Sequence, residues 1–181
     1  MRGFYPGGEA IASSISPLLN QLQSSQAAAP VAQQQAWVST QNALLARGVA
    51  TVAMDNAGTG ESPVKGVPDA ERQFITALQW IAAQPDLDGA RPAVLGRSFG
   101  GYWATKLAHL LPDALAGAVN WGGGVHHMFQ PSWVQASRYP DSYLMELVET
   151  RSRMLGATND DEYVAGFGRL SLLDQGLLDR P

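Results

Sequence analysis

An α/β architecture built on a mainly parallel central sheet, with helices on both of its faces, is the fold that the sequence predicts. Three observations lead there. Short β-prone runs alternate with segments of helical periodicity, which requires crossover connections and hence parallel strands. The runs are uniformly apolar rather than alternating, as strands covered on both faces are. Gly, Pro, Asn and Asp cluster at nearly every junction between the two kinds of segment.

In chain order, the stretch from Val31 through Trp37 and Leu44 to Leu45 reads as a helix stopped by Arg47-Gly48. Val49–Met54 is a first strand, closed by the turn-rich Asp55-Asn56-Ala57-Gly58-Thr59-Gly60. A helix opens near Pro68-Asp69, where proline and aspartate suit a helix start. Phe74, Ala77, Leu78, Ile81 and Ala82 then share one face, before Pro85-Asp86-Leu87-Asp88-Gly89 breaks the pattern. Pro92–Leu95 is a second strand. Phe99 to Leu111 is a helix with Ala104, Leu107, Ala108 and Leu111 facing inward, and Pro112 lies just past its end. Leu115–Trp121 is the third strand. Beyond it come Gly122-Gly123-Gly124 and helices around Tyr143–Leu155 and Asp160–Phe167, with no further strand pattern. This divides the chain into an N-terminal segment of unassigned structure (1–43), a sheet core (44–121) and a helical lid or cap (122–181).

Composition removes several function classes. The 181 residues include no cysteine, so thiolate chemistry, disulfides and cysteine zinc sites are out. The net charge of −4 comes with no basic cluster, which argues against nucleic acid or an anionic membrane as partner. No apolar run approaches the ~20 residues that span a bilayer, and Met1–Gly8 lacks the apolar centre of a secretory leader. A cytoplasmic protein is the expectation.

The segment with chemical content is Gly96-Arg97-Ser98-Phe99-Gly100. The bare G-x-S-x-G pattern is weak in a glycine-rich chain, but here an apolar strand runs into it and a helix leaves it. That is the setting of a nucleophile elbow, in which a serine on a sharp turn projects its hydroxyl above the sheet edge. Flanking glycines avoid clashes with strand and helix, and Gly101 allows close approach of helix and sheet. The Phe99 backbone N–H would face a developing oxyanion, aided by the positive end of the helix. The bland alternative is a glycine-rich turn with an incidental serine.

A serine nucleophile needs a base, normally a histidine oriented by a carboxylate. His109 lies near the far end of the helix that starts at the elbow, about 16 Å away at 1.5 Å per residue, and cannot serve. His126 and His127 follow the third strand, on the side where ligands bind to such sheets. They and Trp121 are candidates for the substrate pocket, with loop or core packing as the alternative. Phe129 and Trp133 invite the same two readings. Asp141, Glu146 and Glu149 read as solvated helix residues rather than as the acid of a triad, and Arg97 as a surface salt-bridging group.

The segments DNAGTGES (55–62), GRSFGG (96–101) and NWGGGVHHMF (120–129) together resemble the FrsA-type branch of the α/β-hydrolases. That branch is similar to dihydropseudooxynicotine hydrolase and to the fungal pigment-pathway hydrolases that shorten polyketides. The resemblance spans Leu44 to Pro181. It implies an α/β-hydrolase that cleaves an ester, or a C–C bond adjacent to a ketone, by a Ser-His-Asp triad. It also implies no cofactor or metal, a small-molecule ester or ketone as substrate, and a lid after Trp121. Only Ser98 as nucleophile and the Phe99 amide carry over by position. The family's acid and histidine follow further strands, and Tyr5-Pro6-Gly7-Gly8 is the candidate for an N-terminal oxyanion loop. The chain therefore reads as incomplete at both ends. A catalytically incomplete fragment or binding protein, acyl transfer in place of hydrolysis, and assembly into a homo-oligomer are left open.

Overall fold

The computed structural model describes residues 30–138 and 147–179. The chain divides into two compact units, residues 1–53 and 54–181. In the first, α1 (Pro30–Leu45) ends in a turn that reaches Gly48, which has φ +76. That left-handed conformation is why glycine stands at the stop. Arg47 tightens the end by donating from Nη1 to the Ala43 carbonyl at 2.8 Å.

The second unit holds α2 (Glu71–Ala82), β1 (Ala93–Arg97), α3 (Phe99–Leu110) and β2 (Gly117–Trp121). After a 3₁₀ turn at His127–Phe129 come α4 (Pro131–Ala136), α5 (Leu147–Leu155) and α6 (Asp160–Gly168). β1 and β2 pair in parallel, from Ala93 opposite Gly117 to Arg97 opposite Trp121, with α3 as the crossover between them. The β-α-β unit around the serine motif thus forms as the residue pattern predicts. β1 also runs two residues further than expected, through Gly96 and Arg97, because the ladder to Asn120 and Trp121 keeps the backbone extended up to the serine.

The expected strand at Val49–Met54 does not form. The segment makes no ladder, and Val49, Val52 and Met54 are exposed. A β-prone run becomes a strand only when a neighbouring strand shares its backbone hydrogen bonds, and among the described residues Val49 N donates instead to the Leu44 carbonyl at the end of α1, at 3.0 Å. The helix expected near Pro68-Asp69 starts slightly later, at Glu71, and Asp69 pairs instead with Arg72 at 2.7 Å. The 131–136 helix was not evident in the sequence, although Pro131 occupies the first-turn position that proline favours. The expected helix over Tyr143–Leu155 is present from Leu147 onward, its earlier residues lying outside the described ones, and that over Asp160–Phe167 is present.

The core lies between α3 and the helices after the 3₁₀ turn. Tyr102, Trp103, Phe129, Tyr163 and Phe167 are at most 1% exposed. Their rings form a continuous series. Tyr102 meets Trp103 edge-on at 4.8 Å and Phe129 at 5.2 Å, Phe129 meets Phe167 at 4.9 Å, and Phe167 stacks on Tyr163 at 5.8 Å. Offset and edge-to-face contacts of this kind suit the ring quadrupoles and add to simple area burial. The buried face of α3 therefore carries Tyr102 and Trp103 as well as Ala104 and Leu107, while Ala108 and Leu111 are only half-buried. Lys106 is also buried on this helix. Its ammonium pairs with Glu71 at 3.0 Å, donates to the Pro68 carbonyl and lies 5.8 Å from the centre of the Trp103 ring. Three partners offset the cost of desolvating the charge.

Candidate active site

Ser98 stands between the last residue of β1 and the first of α3, with φ 53 and ψ −121. Among the described residues it is the one non-glycine at positive φ. Such a conformation costs about 1–3 kcal/mol and persists only where its surroundings enforce it. Here the enforcement is visible. The Ser98 N–H donates to the Trp121 carbonyl at 2.9 Å, which continues the sheet through the turn, and the Ser98 carbonyl accepts from Gly101 N at 2.8 Å, which opens the helix. One peptide unit belongs to the strand and the next to the helix, and the serine side chain is left exposed at the crest.

The glycines follow from the crowding this turn creates. A Cβ on Gly96 would overlap the Gly100 carbonyl and come within 2.7 Å of Gly101 N. Gly123 crosses directly above the elbow, where a Cβ would overlap the Ser98 carbonyl and reach Tyr102 N at 2.5 Å. Asn120, the penultimate residue of β2, clamps that crossing. Its Oδ1 accepts from Gly123 N at 2.6 Å, and its Nδ2 donates to the Gly123 carbonyl and to Thr105 Oγ1, both at 2.9 Å. The glycine run is thus a strap held against the elbow by one carboxamide. A polar residue within an apolar strand pattern was the available signal for Asn120.

Phe99 is the first residue of α3, so its N–H has no acceptor within the helix, and the helix dipole is positive at that end. Its ring stacks on Tyr102 at 5.2 Å and meets Trp103 edge-on at 5.7 Å, which anchors the residue carrying the amide. Burial pushes the Tyr102 phenol well above its ordinary range, so the hydroxyl beneath the elbow stays neutral. Trp121, at the end of β2, is half-buried with the Arg97 guanidinium 5.5 Å from its ring centre; Arg97 is thus a stacking partner rather than the salt-bridging group expected.

The loop after residue 54 reaches the same end of the sheet. Asp55 Oδ2 accepts from Glu61 N at 2.9 Å, Gln73 Nε2 donates to the Asp55 carbonyl at 2.8 Å, and Gly66 N donates to the Met154 carbonyl at 2.9 Å. Held by these bonds, the Asn56 side chain lies against Gly100.

The histidines fall elsewhere in the network. His126 Nδ1 lies 2.8 Å from Ser171 Oγ, 3.3 Å from Gln130 Nε2 and 3.9 Å from Asp174 Oδ1. An amide nitrogen can only donate, so neutral His126 accepts at Nδ1 and carries its proton on Nε2. Ser171 is fully buried and also accepts from Asp174 N at 3.2 Å. This polar cluster joins the 3₁₀ turn to the chain after α6, and the sequence gives no local sign of it because its members lie far apart in the chain. His127 is exposed at the start of the 3₁₀ turn, and His109 sits in the last turn of α3. Among the described residues, no hydrogen bond or ion pair joins Ser98 to a histidine. Glu149 is an exposed residue of α5, 3.9 Å from Arg153, in keeping with a solvated helix carboxylate. Asp141, Glu146 and Tyr5–Gly8 lie outside the described residues.

An open depression of about 450 Å³ lies between α4 and α6, with Phe129, Pro131, Val164, Gly168 and Arg169 among its lining residues and none from the elbow. Among the described residues no group of three or more His, Asp or Glu is placed to hold a metal ion, and no helix is long and apolar enough to cross a membrane.

The family model described as esterase FrsA-like matches residues 22–181. No curated protein matches the chain.

Proposed function

The chain belongs to the FrsA-like esterase family and is a hydrolase, and from that premise we propose that Ser98 is the nucleophile of an α/β-hydrolase acting on a small-molecule ester or on a C–C bond beside a ketone. The observation that carries the reading is the backbone of Ser98, a strained conformation held between strand and helix with the side chain exposed. A structural serine has no need of it. Strain of this order at a single exposed polar residue is characteristic of groups held for reaction.

In this reading Ser98 Oγ attacks the substrate carbonyl carbon as its proton passes to a general base. The carbonyl oxygen becomes an oxyanion, facing the Phe99 N–H and the positive end of α3. Collapse of the tetrahedral intermediate breaks the bond to the leaving group, which departs as an alcohol from an ester or, from a β-diketone, as a carbanion stabilised by its own ketone and then protonated. Water hydrolyses the resulting acyl-serine and regenerates Oγ–H. Trp121, and the segment after it as a lid, would supply the apolar wall for the substrate, with His126 and His127 beside it. The same acyl-serine would pass to an alcohol or amine if one outcompeted water.

A fluorophosphonate probe and a panel of activated esters test this. Stoichiometric labelling at Ser98, lost together with ester turnover in Ser98→Ala, is the expected result. Folded protein that neither reacts with the probe nor turns over any ester would show a hydrolase fold used for binding. Parallel assays with a β-diketone and with an added alcohol separate C–C cleavage and acyl transfer from ester hydrolysis.

A further inference from the structure

Asn56 carries a carboxamide beside the first turn of α3 that makes no hydrogen bond among the described residues. A side chain beginning at Gly100 would meet Asn56 Oδ1 at 3.4 Å and Nδ2 at 3.9 Å, so the flat amide group lies against the first turn of α3. Cβ bonds in a helix tilt toward its N-terminus. Asn56 therefore lies beside the first turn of α3, whose first residue, Phe99, directly precedes Gly100. Its backbone is fixed: the Asn56 carbonyl accepts from Thr59 N at 3.0 Å and Thr59 Oγ1 at 2.8 Å, the next residue, Ala57, is fully buried, and the preceding Asp55 is tied to Glu61 and Gln73. Yet among the described residues neither Oδ1 nor Nδ2 makes a hydrogen bond. Asn120, by contrast, spends both atoms on the strap. A half-buried, rigidly mounted amide with spare donors beside a nucleophile has the character of a ligand-binding group.

Building on the hydrolase reading, we propose that Asn56 is a substrate-contacting residue whose Nδ2 donates to the carbonyl oxygen that Ser98 activates, supplementing the Phe99 amide. The substrate carbonyl would lie between the loop after residue 54 and the N-terminus of α3. An amide in this position strengthens its bond as the oxygen gains charge, so its contribution falls on the chemical step.

The test compares the unmodified protein with N56A and the near-isosteric N56L, which keeps the branched side-chain shape and removes the donor without adding a charge. With an activated ester, kcat is expected to fall by about 100-fold in both variants with KM changed by less than about threefold. The inhibition constant of an alkylboronate, which forms a tetrahedral adduct on serine, should weaken by a similar factor. A merely structural role would instead lower thermal stability and leave the ratio of boronate to substrate affinity unchanged. As a check free of mutation, the Asn56 side-chain NH₂ resonances in the unmodified protein should shift when the boronate binds. Unchanged kcat and boronate affinity in N56L, or unmoved NH₂ resonances, would overturn the assignment while leaving Ser98 as nucleophile. No fluorophosphonate labelling of the unmodified protein would remove the hydrolase reading and this inference with it.

Discussion

Replacing Gly96 by alanine puts the elbow's packing to a quantitative test. The added methyl would overlap the Gly100 carbonyl and approach Gly101 N to 2.7 Å. Both belong to the backbone of the first turn of α3, so no side chain can rotate away; strand and helix must separate. Overpacking of this kind costs about 1–3 kcal/mol, with rigid surroundings at the upper end. Alanine also restricts the unfolded chain relative to glycine, a gain of about 0.4–1 kcal/mol. The net expectation is a loss of about 2 kcal/mol, or roughly 4–8 °C in melting temperature for a chain of this size. Gly117→Ala is the internal control. Gly117 also lies in a strand, but a Cβ there meets nothing within 4 Å, so the entropic gain stands alone and the melting temperature should hold or rise slightly. Calorimetry on the two variants and the parent gives the comparison, and the rate of fluorophosphonate labelling should fall only in Gly96→Ala. Equal melting temperatures for the two variants would refute the claim that contact, rather than glycine content, governs the turn.

Three further outcomes follow from the same geometry. Ser98→Gly should stabilise the fold by about 1 kcal/mol while abolishing labelling, because glycine tolerates the φ of 53 at little cost; Ser98→Ala keeps the strain and should show no such gain in urea unfolding. Lys106→Met should destabilise by about 2–3 kcal/mol by leaving the Glu71 carboxylate unpaired, the penalty being moderated because Glu71 is still 21% exposed; adding Glu71→Gln should recover much of the loss. Tyr102 is held neutral by burial, so above pH ~10 the unfolded state sheds a phenolic proton that the folded state retains, and stability should fall as pH rises, by up to about 1.4 kcal/mol per unit from this group. Urea unfolding at pH 9 to 11 should show a steeper decline for the unmodified protein than for Tyr102→Phe, and identical slopes would contradict the burial argument.

The β1–elbow–α3–β2 unit was legible because each of its parts is locally encoded. Apolar runs at 92–95 and 115–121 are short and bounded by Pro and Gly, and the residues after Phe99 repeat at helical spacing. What was not legible depends on partners distant in the chain. Val49–Met54 has the residue types of a strand but no ladder, which composition cannot reveal. Lys106 looks like a surface residue until Glu71 and Pro68 close around it. His126 finds Ser171 and Asp174 only once α4 and α6 have packed, so reading it from its neighbours alone left pocket lining and packing equally open. The strained serine sits between these extremes. Its motif is local, but the conformation that gives the motif meaning is imposed by the Trp121 carbonyl and the glycine strap, both supplied from after the following helix.

The ring series from Phe99 through Tyr102, Phe129 and Phe167 to Tyr163 has a consequence for how this protein could acquire new specificities. Under the proposed reading, selection for a different substrate shape would act on the helices after the 3₁₀ turn, yet those helices share their interior with Phe99, the residue next to Ser98. A change that tilts one ring shifts its neighbours in turn, so the elbow and those helices cannot diversify independently. Adaptive substitutions should therefore accumulate in compensating pairs along that aromatic spine, or else retreat to the polar rim where no ring is touched.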